Sequence, residues 1–222
     1  MGKINLLIAN ANYNFTSREL SVFKSATESA NEYISDHFDF DYEVDLVVVT
    51  PSFLMRVIPE DGLTAQTYSS RLIILTIDKS QRKIQEDIIF ETICHEMSHS
   101  LRWEKLPEYA NTMFEGMILE GLAITLEEKA MNVTNRRTKQ FFLNEMTNTT
   151  QKEINTMTDQ LRDSFNNDNY NYQTIFFTGD KTLPRWTGYK LGYYFVKKHL
   201  RETGQSIEQA TLASYSEFSS EI

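Results

Sequence analysis

The chain has 222 residues, 41% of them hydrophobic and 24% charged, which suffices for one domain with a sizeable core. Its formal net charge of −9, with acids and bases interspersed, argues against nucleic acid as a partner, because phosphate binding needs a clustered positive footprint. A single cysteine, Cys94, excludes an intrachain disulfide, and no apolar run approaches the roughly 20 residues of a membrane span.

The N-terminal apolar run has no signal-peptide pattern, so a cytoplasmic protein is expected. The Asn-x-Thr triplets at Asn14, Asn132 and Asn148 read as chance in an Asn-rich chain.

In chain order, Ile4 to Ala9 reads as a short strand. Thr16 and Glu19 form a plausible capping box, followed by Leu20, Phe23, Ala26, Ala30 and Ile34 at helical spacing. Val44 to Thr50 is rich in β-branched residues and stops at Pro51, as a buried strand would. Thr64 to Tyr68 and Leu72 to Ile77 read as two further strands about a polar reversal. The pattern then turns helical: Ile84 to Trp103, with Pro107 closing the connection, then Asn111 to Ala130. Weaker amphipathic stretches follow at Arg136 to Met146 and Gln151 to Phe165, and a strong one at Pro184 to Glu202. The expectation is an α+β protein: an α/β half over about 1–105, a helical half over about 106–222, and a cleft between them.

The chemistry concentrates in His95-Glu96-Met97-Ser98-His99. Helical positions i and i+4 share one face, so both imidazoles can reach one ion, while Glu96 stands beside it as a base. Ile88, Ile89, Phe90, Ile93, Met97, Leu101 and Trp103 make the helix apolar over most of its circumference, hence buried. Buried histidines and a buried acid need partners, and a metal supplies them. Hydrogen-bonded core histidines are the plainer alternative.

A catalytic zinc site takes three protein ligands and keeps one position open. The third is expected on the next helix at Glu120, among Gly116, Met117, Ala123 and Ile124, with the glycines letting that helix approach the first. Glu115 is the rival, whereas Glu127 and Glu128 look like a solvated helix end. In Pro184-Arg185-Trp186-Thr187-Gly188-Tyr189-Lys190-Leu191-Gly192-Tyr193, Gly188 and Gly192 form one stripe and Tyr189 and Tyr193 the next. Tyr189 is the candidate donor to a developing oxyanion, with Arg185 as second choice; ordinary core aromatics are the competing reading. Cys94 faces away from His95 and reads as core, and His37 and His199 have no assignment.

Three segments together resemble the bacterial YjaZ-like family of predicted zinc-dependent proteases, in the gluzincin clan: His95-Glu96-x-x-His99, Glu120-Gly121-Leu122-Ala123, and Gly188-Tyr189-x-x-Gly192-Tyr193. They lie between residues 92 and 196, and the first 60 residues take no part in the likeness. The resemblance implies a zincin-like fold, Zn2+ on His95, His99 and Glu120, and Glu96 as catalytic acid/base. The expected activity is hydrolysis of a peptide or protein substrate by metal-activated water. That substrate would add as a strand to an exposed sheet edge, either Thr64 to Tyr68 or Leu72 to Ile77. The alternative is a zinc-binding partner module with little turnover, although an intact Glu96 has no use in a purely structural site.

Overall fold

Four apolar runs pair into one mixed sheet in the computed structural model, which describes residues 2–11, 15–52, 56–106 and 108–221. Pro107 and Asn14 lie outside the described residues. The strands are β1 (Lys3–Ile8), β2 (Glu43–Val49), β3 (Leu63–Ser69) and β4 (Leu72–Ile77), in the order β1-β2-β4-β3. β2 runs parallel to β1 and β4, and β3 runs antiparallel to β4. Period-two alternation puts Val44, Leu46 and Val48 in the core opposite Ile73 and Leu75, while Glu43 and Asp45 face outward. β2 is thus fully buried on one face only, because the helices of this half cover one side of the sheet.

Two long helices supply that cover. α1 (Ser17–His37) turns Phe23, Ala26, Ala30 and Ile34 inward, and starts where Thr16 and Glu19 cap one another. α2 (Glu86–Lys105) is buried from Ile88 through Arg102 without a break, packed among α1, β3 and the helical half.

Pairing also settles which strand has a free edge. β4 has a neighbour on each side, whereas β3 has one. The Leu63 carbonyl accepts from the Ile58 N–H, away from β4. By alternation the backbones of Ala65 and Thr67 face that same open side.

The second half holds α3 (Met113–Val133), α4 (Phe141–Thr147), α5 (Gln151–Leu161), α6 (Thr187–Thr203) and α7 (Ile207–Thr211), with a π-turn at Thr174–Thr178. α4 begins later than its amphipathic stretch suggests because a remote residue caps it. The buried Asp61 carboxylate accepts the N–H groups of Phe141 at 2.6 Å and Phe142 at 3.0 Å. No described helix is long and apolar enough to cross a membrane.

α3 and α6 make the closest helix contact, and the glycines serve this pair rather than the approach of α3 to α2. A methyl group on Gly192 would fall inside the envelope of the Met117 carbonyl oxygen, and one on Gly121 inside that of the Gly192 carbonyl. Gly116 instead faces the rings of Phe176 and Tyr170 at 3.2 Å from an added methyl. Backbone cannot give way as a ring can. Gly192→Ala should therefore cost about 3 kcal/mol or prevent folding, and Gly116→Ala clearly less, as read by urea denaturation.

Candidate metal centre

One turn separates His95 and His99 along α2, so their rings lie 5.3 Å apart between centroids and point the same way. α3 crosses above and brings in Glu120. Its Oε2 stands 3.4 Å from His95 Nε2 and 3.5 Å from His99 Nε2. All three side chains are buried, and their donor atoms lie within 4.8 Å of one another.

Two tests of the fit to zinc can be made. Ligands about 2.0–2.2 Å from one tetrahedral ion stand about 3.4 Å from each other, which matches the spacing seen. The donor chemistry also matches, two imidazole nitrogens and one carboxylate oxygen, the set of a catalytic zinc with an open position.

The electrostatics favour positive charge at this point. Burial works against the charged form of Glu120, yet His99 and His95 hold its carboxyl down to about 2. Burial would lower the His95 imidazolium, but Glu120 and Glu127 hold it well above its ordinary value. A cation set between these groups, proton or metal, is strongly retained.

Glu127 is the residue that the sequence reading misplaced. It is 1% exposed rather than solvated, and its Oε2 receives His95 Nδ1 at 3.0 Å. This bond turns the opposite nitrogen, Nε2, toward Glu120 and fixes the tautomer a metal ligand needs. A signal for it exists in the sequence. Glu127 lies seven residues after Glu120, two helical turns on, along the same stripe of α3.

Behind Glu127 sits Glu91, fully buried against Thr138 and the Lys139 backbone without well-formed hydrogen bonds. Burial first, and the Glu127 carboxylate second, push the Glu91 carboxyl up to about 8. The Glu91 carboxyl therefore holds its proton well above the ordinary carboxylate range.

Glu96 is 6% exposed and lines the same cavity as the three donors, its carboxylate also reaching β3. The Thr67 hydroxyl lies 2.7 Å from Glu96 Oε2 and 3.0 Å from the Glu96 carbonyl oxygen. Nothing local in the sequence pairs these two residues; only the packing of the edge strand on α2 does.

The remaining candidates separate clearly. Tyr189 lines the cavity above the donors, its ring edge-on to Phe142 at 5.1 Å. Burial, then the charge of Glu120, keeps its phenol protonated well above the ordinary range, so it remains a hydrogen-bond donor. Tyr193 is not among the cavity-lining residues, and its ring lies under Lys197. Arg185 lines the cavity but is engaged by Glu60 at 2.9 Å and stacks 3.7 Å over Trp186. Glu115 caps the start of α3, accepting the N–H groups of Asn111 and Thr112, which removes it as a ligand. Cys94 is buried and His199 is a core residue bonded to Gln205, so neither faces the centre. Tyr172, not singled out from the sequence, also lines the cavity.

A family model described as "Predicted Zn-dependent protease (DUF2268)" matches residues 22–220. No curated protein and no solved structure matches the chain.

Two outcomes follow from this geometry. Glu127→Gln should weaken zinc binding roughly 10- to 100-fold in competition with a chromophoric chelator. The second concerns pH. The Glu91 carboxyl titrates higher in the folded protein than in the unfolded chain, so the folded state is favoured at low pH and loses that advantage as pH rises towards about 8. Urea midpoints of chelator-stripped protein should fall between pH 5 and 8, and Glu91→Gln should flatten that decline.

Proposed function

The chain belongs to the DUF2268 family of predicted Zn-dependent proteases, and from that premise we propose that it is a zinc-dependent peptidase with a zincin-like fold acting as one catalytic unit. The convergence of His95, His99 and Glu120 on one point, at the floor of a cavity of about 830 Å³ beside a free sheet edge, carries the reading. His95 Nε2, His99 Nε2 and a Glu120 oxygen would hold the ion. Bound there, zinc would acidify water and polarise a carbonyl.

The chain's own groups supply the rest. An extended peptide adds to β3 through the outward backbones of Ala65 and Thr67. Glu96 Oε2 takes the proton of the attacking water and returns it to the departing amine. The Thr67 hydroxyl holds that carboxylate toward the strand on which the peptide lies, so binding and proton transfer share one anchor. The Tyr189 phenol donates to the carbonyl oxygen as negative charge gathers there.

Glu96→Gln should keep its zinc, measured by atomic absorption, and lose turnover of a peptide library by about 100-fold or more. His95→Ala should lose both. Wild-type cleavage by Glu96→Gln would end the assignment.

A further inference from the structure

The two imidazoles stand in the middle of a row of rings. From one end of the cleft to the other it runs Tyr109, Trp103, His99, His95, Phe142, Trp186, with successive centroids 5.9, 5.9, 5.3, 6.2 and 5.2 Å apart. Trp103 stacks on the His99 side and Trp186 lies beyond the His95 side, so rings flank the centre in both directions, half-buried at Trp103 and buried at Phe142 and Trp186.

The rim repeats this character. Eight large hydrophobic residues are exposed among the described residues. Tyr68, Tyr172 and Phe177 of these line the cavity, Phe141 packs on Trp186, and Tyr109 packs on Trp103. Five of eight around one cleft is a concentrated apolar patch, and such patches mark binding surfaces. Trp186 adds a sign of its own. It holds a left-handed backbone, φ 65°, which is strained for a bulky residue and places its ring against Phe142.

Charge points the same way. Most ionisable groups lining the cavity already have partners on the protein. Asp61 is paired with Arg82, Arg185 with Glu60, Glu96 with Thr67, and Glu120 and Glu127 with the histidines. Arg56 stands exposed at the margin. Away from Arg56, a charged substrate side chain entering the cleft would be desolvated without a counter-charge, whereas an aromatic one would meet the accessible rings of Trp103, Tyr172 and Phe177.

We propose that the cleft selects uncharged peptides carrying aromatic or other large apolar residues beside the scissile bond, seated on the half-buried Trp103 and on the exposed rings of Tyr68, Tyr172 and Phe177. This rests on the peptidase reading above and adds the substrate class. Phe177 and Tyr172 complete the walls from the loop that precedes α6.

The chain has two tryptophans, Trp103 and Trp186, and both belong to the row, so intrinsic fluorescence reports occupancy without turnover. Zinc-loaded Glu96→Gln protein is titrated with three end-blocked peptides of equal length. One carries Phe and Leu about its central bond, one Ser and Gly, one Asp and Lys. The aromatic peptide should shift the emission and bind at least tenfold more tightly than the other two. Phe177→Ala and Tyr172→Ala, both at exposed positions, should each weaken it roughly three- to tenfold without moving the melting temperature. Equal affinities, no binding, or preference for the charged peptide would overturn the proposal. Cleavage of the same peptides by wild type separates the two ideas. Selective binding without cleavage keeps the proposal and removes the peptidase reading; cleavage of all three at one rate does the reverse.

Discussion

Burying an ionisable side chain without a partner costs several kcal/mol, and α2 buries five within one unbroken stretch, Glu91, His95, Glu96, His99 and Arg102. The surroundings of this helix are arranged to meet that cost. Arg102 lies over the Tyr215 ring, donates to the carbonyls of Thr211 and Ala213, and pairs with Glu108. Glu96 takes the Thr67 hydroxyl, His95 takes Glu127 on one nitrogen and faces Glu120 with the other, and Glu91 holds its proton well above the ordinary carboxylate range. The edge strand, α3 and the C-terminal turns are all tied to α2 by these polar contacts as well as by apolar packing.

A second constraint sets where the acids of α3 can stand. Gly121 and Gly192 bring α3 and α6 together until backbone meets backbone. That crossing leaves Glu120 and Glu127 directed at α2 on one side of α3. It also carries Tyr189, one turn before Gly192, to the cavity wall over the same point. A looser crossing would move the phenol away from the two carboxylates and the histidines. The position of the centre is therefore a property of helix packing rather than of any single ligand.

The cleft joins two surfaces of different chemistry. Along β3 the free backbone of Ala65 and Thr67 offers hydrogen bonds that any extended chain can use. Around the row of rings the accessible surface is apolar, with Tyr68, Tyr172 and Phe177 exposed at the cavity. Thr67 belongs to the first surface through its backbone and to the Glu96 carboxylate through its hydroxyl.

Much of this could be read from the sequence, because it depends on periods of two and 3.6 residues. The four strands, the long helices, the shared face of His95 and His99, and the capping box at Thr16 are local properties, and the α+β class and the family follow from them. Glu127 was within reach by the same rule, since seven residues return a helix to one face, but a run of acids near a helix end looks like a solvated terminus until burial is known. Other features depend on which segments meet. Between β3 and β4 the free edge falls to β3, because strand order, not composition, decides which of the two lies outside. Thr67 reaches Glu96, Asp61 caps α4, and the glycines of α3 serve α6, each across a separation that no local pattern encodes. The sequence alone determined which side chains could carry the chemistry. The tertiary structure decided which partner each one has, because a buried polar group takes its partner from whatever the packing brings near it in space and not from its neighbours along the chain.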